Sequence, residues 1–176
     1  MKKQTVVIFD GTDRCGKSEM AHELSSRLKI PYFKNTAEWK AFSHDPDYFQ
    51  NAMKYGDDFF YRFLRDTGVS CILDRSYPSE WVYSRVYGRK THNDALEHVD
   101  ILASGINVRI VNPFRSSYAG VYDEVHNIDE NKIKAIDETY VKFLSWTRCK
   151  HLRINVDDEN IDREMADIMD FLEKSE

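Results

Sequence analysis

At 176 residues, with 41% hydrophobic and 31% charged side chains, the chain has the size and balance of one folded domain that needs neither disulfides nor a metal to hold its core. A formal charge of -5 excludes a surface that is basic throughout, so small anionic ligands suit it better than long polyanions, and nucleic acid is not an expected partner. The apolar run that follows Met1 is too short for a secretion signal or a membrane span, and Cys15, Cys71 and Cys149 have no partner at metal-ligand or redox spacing; both point to a reduced, cytoplasmic protein.

Thr5 to Phe9 is a β-branched and aromatic run of the kind buried on both faces of a parallel sheet. It stops at Asp10-Gly11, and from Lys17 to Leu28 the apolar residues Met20, Ala21, Leu24 and Leu28 recur at helical spacing. A short strand at Tyr32-Phe33 follows, then a helix opened by Asp45-Pro46 and closed by Gly68. Val69 to Leu73 reads as a third strand that delivers Asp74-Arg75, and Pro78 starts another helix. Ala95 to Ala103 is helical, Ile106 to Val111 a fourth strand, Ile133 to Leu144 a helix, Leu152 to Val156 a fifth strand and Ile161 to Leu172 the last helix. This alternation predicts one α/β domain over 1–176: a five-stranded parallel sheet in three layers, with ligands beyond the C-terminal strand ends.

Gly11-Thr12-Asp13-Arg14-Cys15-Gly16-Lys17-Ser18 joins the first strand to the first helix and has the spacing of a phosphate-binding P-loop. Successive amides of such a loop point inward at phosphate oxygens, and the helix behind it adds its positive end. Lys17 then reaches the β and γ phosphates, and the Ser18 hydroxyl is available to Mg²⁺. The only string near a guanine-switch signature, Asn131-Lys132-Ile133-Lys134, lacks the carboxylate that such switches need, and Asp74 is followed by Arg75 rather than by the second acid common in larger ATPase motors. The six histidines show no metal-ligand spacing.

Phe9 to Ser18, together with Asp74-Arg75-Ser76-Tyr77, resembles the two signature segments of thymidylate kinases, within a wider fold group that includes deoxynucleoside kinases. The resemblance implies an ATP- and Mg²⁺-dependent kinase of nucleoside monophosphates, active as a homodimer. It implies that Arg14 is the cation that stabilises charge on the transferring phosphoryl group, that Asp13 faces the acceptor sugar and orients Arg14, that Asp74 holds Mg²⁺ through a water, and that Arg75 neutralises a phosphate near the acceptor. A lid is implied over 113–127, with Arg115 as its one arginine. Where the family carries an arginine for the acceptor phosphate, this chain has Lys34-Asn35-Thr36; the helical position that holds another arginine falls near Lys54, with Phe49 a turn earlier, either stacking on a base or packing inward.

Two acceptor chemistries remain open from these residues. A monophosphate is already anionic, so positioning and charge neutralisation by Arg14, Lys17, Arg75 and Mg²⁺ suffice. A nucleoside must lose its 5′-hydroxyl proton, for which Glu38, in a Glu-Trp pair similar to a segment of deoxynucleoside kinases, is the candidate base. A third reading is a non-catalytic nucleotide-binding protein or a kinase of nucleic acid ends. Arg85 and Arg89, four residues apart, would share one helical face, directed either at the cleft or at solvent.

Overall fold

The computed structural model describes residues 4–34, 46–118 and 129–174. Strands β1 (Val6–Phe9), β2 (Tyr32–Lys34), β3 (Cys71–Asp74), β4 (Arg109–Phe114) and β5 (Lys150–Asn155) form one parallel sheet in the order β2-β3-β1-β4-β5. The described helices are α1 (Lys17–Leu28), α2 (Pro46–Thr67), α3 (Tyr77–Val86), α4 (Asn93–Gly105), α5 (Glu130–Trp146) and α6 (Ile161–Lys174).

The period of two along each strand divides the core into two layers. Val6, Ile8, Cys71, Leu73 and Ile110 face α2 to α5, where they pack with Tyr61, Leu64, Tyr77, Trp81, Tyr140 and Phe143. Val7, Phe9, Ile72, Val111 and Ile154 face the other way, against Met20, Ala21 and Leu24 of α1 and Met165 and Ile168 of α6. Strands covered on both faces need apolar residues at every position, which is why β1 and β3 read as unbroken hydrophobic runs.

Several boundaries differ from the sequence expectation, the fifth strand, for instance, spanning Lys150–Asn155, and two strands differ for clear local reasons. The third strand begins at Cys71, because Val69 and Ser70 are tied by side chains instead: Gln4 Nε2 donates to the Val69 carbonyl at 2.8 Å, and Ser70 Oγ accepts from the Thr5 amide at 2.9 Å. The fourth begins at Arg109, three residues late. Ile106 and Val108 return their amides to Leu102 and Ala103 at the end of α4, and Asn107 adopts a left-handed φ of 61°, so the segment closes a helix before the chain can extend. The strand then runs on through Pro113 and Phe114, which the sequence expectation placed in the lid; of that lid, 119–127 lies outside the described residues.

Helix α2 turns a mixed polar and apolar face inward. Its aromatic stripe, Tyr55, Phe59 and Phe63, stays exposed, while Asp57, Tyr61 and Leu64 are buried.

Candidate active site

The parallel register sets Phe9 of β1 beside Asp74 of β3 and Val111 of β4, so the loops leaving these strands start side by side at the C-terminal edge. Gly11 is required there by space rather than by curvature. A Cβ on it would lie 2.8 Å from the Pro113 carbonyl oxygen and 3.0 Å from Asn112 Nδ2, too close for any side chain. Gly16 is the residue whose conformation calls for glycine, with φ 62° at the N-cap of α1.

Lys17 opens α1, and its buried ammonium donates to the Thr12 carbonyl of the same loop, 4.0 Å from Asp13 Oδ1. Burial, with the nearby Arg75 cation, lowers its pKa to about 8. Ser18 Oγ donates to Asp74 Oδ2 at 2.5 Å, and Tyr32 Oη donates to the same oxygen at 2.9 Å. This is a hard oxygen set with one carboxylate, which suits a Mg²⁺ ion that keeps its waters and takes its remaining ligands from phosphate. No group of three or more His, Cys, Asp or Glu side chains suited to a self-sufficient metal site occurs among the described residues.

Arg75 joins the loop to α3. Its guanidinium is paired with Asp13, donates to the Gly11 carbonyl and to Ser79 Oγ, each at 3.2 Å, and lies 5.6 Å from the centre of the Tyr83 ring. Its backbone is held at φ 68°, a conformation that costs a residue with a Cβ and is kept where surrounding contacts enforce it. The partner that fixes this corner was not picked out from sequence. Asp10, fully buried, accepts from the Ser76 amide at 3.0 Å, the Ser79 amide at 3.1 Å, Ser79 Oγ at 2.7 Å and Tyr140 Oη at 2.6 Å, with Arg75 Nη1 at 3.8 Å. Burial pushes its carboxyl up, against the pull of Arg75 and these donors. A charged residue ending an otherwise apolar strand is a signal that could have found Asp10; Tyr140 and Ser79 carry none.

Arg14 also has a left-handed backbone, φ 67°, and its carbonyl accepts from Arg115 Nε at 2.7 Å. Arg115 pairs in turn with Glu159 at 2.8 Å, so the arginine assigned to the lid braces the P-loop from outside. Asp13, expected beside Arg14, is engaged with Arg75 and Lys17. Tyr118 adds a second brace, its hydroxyl 2.6 Å from Thr12 Oγ1 and 3.6 Å from Cys15 Sγ.

The expected acceptor residues scatter. Lys34 is exposed at the end of β2, in register with Asp74. Lys54 lines a recess with Asp57, Glu80, Thr91 and His92. Glu38 and the Phe49 side chain lie outside the described residues. Arg85 and Arg89 do not share a helical face, because α3 ends at Val86 and Gly88 turns the chain with φ 63°. Arg85 stacks over Trp81, 3.7 Å from its ring centre, and donates to Asn93 Oδ1 at 2.9 Å, while Arg89 pairs with Glu80 at 2.9 Å.

No family model matches the chain, and no curated protein sequence does. Solved structures do. The YorR protein of Bacillus subtilis, in complex with phosphorylated GDP, superposes with a TM-score of 0.67 at 21% identity over 96% of both chains. The deoxyadenosine kinase of M. mycoides with bound dATP gives 0.65 at 14% identity over 96% of this chain and all of that one. Thymidylate kinase from Candida albicans gives 0.62 at 14% identity over 99% of this chain and 94% of that one. Across nearly its whole length, the chain has the fold of these three proteins, two of them a nucleoside and a nucleotide kinase.

Proposed function

We propose that the protein is an ATP-dependent kinase that transfers the γ-phosphoryl group to a (deoxy)nucleoside monophosphate. The observation that carries the acceptor choice is that each described carboxylate at the strand ends is already engaged: Asp10 by four donors, Asp13 by Arg75, and Asp74 by Ser18 and Tyr32. With these three committed, the reading favours an acceptor that needs no base, and a monophosphate oxygen has no proton that must be removed.

In this reading an arriving β,γ-phosphate draws the Lys17 ammonium from the Thr12 carbonyl, and the loop amides and the N-terminus of α1 hold the rest of the chain of phosphates. Arg75, fixed between Asp10 and Asp13, holds the acceptor phosphate, with Lys34 at the edge of the same cleft. Arg14 stabilises the charge that develops on the transferring group. Ser18 and Asp74 would hold Mg²⁺, which would supply positive charge to offset that of the phosphates. The lid beyond Phe114, a homodimer and a cytoplasmic location belong to the same proposal; no described helix is long and apolar enough to cross a membrane, and all three cysteines are free and buried.

A nucleoside acceptor, with Glu38 as base, is the second reading, and the fold shared with a deoxyadenosine kinase is what favours it. Incubating the protein with Mg-ATP and each deoxynucleoside or deoxynucleoside monophosphate, and measuring ADP and product, separates the two. Turnover of monophosphates supports the first. Turnover of nucleosides alone overturns it, and silence with all of them points to nucleic acid ends or a binding role.

A further inference from the structure

Between α2, α3 and α4 lies a recess lined by Lys54, Asp57, Glu80, Thr91, His92 and Leu96. It adjoins the phosphate cleft through two neighbours: Ser79, next to Glu80, binds Asp10, and Tyr61, one turn from Asp57, meets Ser76 at 2.8 Å. Two carboxylates are sunk in its wall, Asp57 with 7% and Glu80 with 6% of its surface exposed. Glu80 is held by Arg89, but no described residue donates a hydrogen bond to Asp57. A buried carboxylate left without donors costs free energy, and such a group lining a cleft is a place where a ligand's N–H groups gain most. Burial and the neighbouring Glu80 and Asp10 charges push the Asp57 carboxyl up to about 7.

Resting on the kinase reading above, we infer that this recess receives the acceptor's base and selects guanine, which presents adjacent N–H donors, against thymine. Guanine offers N1–H and the 2-amino group side by side to a carboxylate, with O6 left for a cation such as Lys54. To the ionised carboxylate, adenine and cytosine offer one amino group beside a bare ring nitrogen whose lone pair opposes it. Thymine offers a single N–H flanked by two carbonyl oxygens, so when Asp57 accepts from it a carbonyl opposes the second carboxylate. The predicted order is therefore guanine, then adenine and cytosine, then thymine, a different preference from the one the thymidylate kinase resemblance implies. As it stands the recess has room at its floor for a water rather than a ring, so the inference requires Lys54, part of its wall, to move when a base enters.

The test compares dGMP, dAMP, dCMP and dTMP with Mg-ATP, by kcat/KM and by the melting shift each gives, in the wild-type protein and in Asp57→Asn. The expected result is a dGMP preference over dTMP of about tenfold to a hundredfold, the range for a bidentate base contact. Asp57→Asn, whose amide has one acceptor where the carboxylate has two, is expected to raise KM for dGMP and close most of that gap while its own melting temperature shows it folded. A dTMP preference, or a dGMP to dTMP ratio that Asp57→Asn leaves unchanged, overturns the inference and leaves the kinase reading standing. If only nucleosides are phosphorylated the acceptor reading fails, and the order of deoxyguanosine against thymidine then decides the base inference. No turnover with either set, and no melting shift with ATP, overturns both.

Discussion

The two ends of the cleft are built in opposite ways. At the proposed phosphate end, eight consecutive residues from Gly11 to Ser18 supply the loop, the lysine and the hydroxyl, and Asp74, Arg75, Arg115 and Tyr118 contact them from elsewhere in the fold. At the proposed acceptor end, Lys54 and Asp57 come from α2, Glu80 from α3, and Thr91 and His92 from the turn into α4. Charge is handled differently too. The phosphate end balances its buried groups against one another, whereas the acceptor end leaves Asp57 without a described donor. A site that binds the part common to all nucleotides can be completed locally, while one that must discriminate leaves a cost that the right ligand removes.

The largest effect that would sharpen this comparison is expected from Lys17→Met. Removing the cation from the loop should lower phosphoryl transfer by at least about a hundredfold. It should also stabilise the ligand-free fold. Lys17 has its pKa lowered to about 8, below that of an unfolded lysine, so the unfolded chain holds the extra proton between about pH 8 and 10.5. Stability of the wild type therefore rises with pH across that window, and the penalty is fully present below it. Melting curves from pH 7 to 10 should show this slope in the wild type and not in Lys17→Met; equal slopes would mean that the lysine is not strained at rest.

Asp10→Asn comes next. It sets an amide NH₂ among groups that donate to the carboxylate, the amides of Ser76 and Ser79 and the hydroxyls of Ser79 and Tyr140. A loss on the order of 2–3 kcal/mol is expected in urea unfolding, together with impaired transfer, because Arg75 loses part of its counter-charge. Unchanged stability would show that α3 and α5 do not depend on this residue.

Gly11→Ala should cost about 1–3 kcal/mol, since its methyl group must displace the Pro113 carbonyl from the end of β4. Weaker ATP binding should accompany it, read by titration calorimetry. A neutral result would mean that β1 and β4 separate easily at this edge.

Arg85→Ala is the smallest expected change, a destabilisation of about 1 kcal/mol from lost stacking on Trp81, with transfer at the wild-type rate. A large rise in acceptor KM would instead return Arg85 to the site and break the division between the two ends.

Much of the molecule was legible in the residues alone. Alternating strand and helix periods implied a five-stranded parallel sheet, and that sheet is present. Boundaries were missed where side chains or helix ends took over backbone hydrogen bonds, as at Ser70 and at Asn107, because periodicity reports which face is buried and not which partner a given amide finds. Aromatic content alone does not report the buried face of α2: Phe59 and Phe63 are exposed while Asp57, Tyr61 and Leu64 are buried. Arg85 and Arg89 were misjudged by assuming that α3 continued through Gly88.

By itself the sequence determined where the candidate phosphate loop lies between the first strand and the first helix, because its eight residues are spaced for contacts with their chain neighbours and with the helix they open. Only the tertiary structure decided that Asp10 is the hub of the cleft, that Gly11 is required by the approach of β4, and that Asp57 and Glu80, 23 positions apart, face one recess. Those properties depend on how helices settle on a sheet, and many distant side chains fix that packing together, so no short stretch of chain records it.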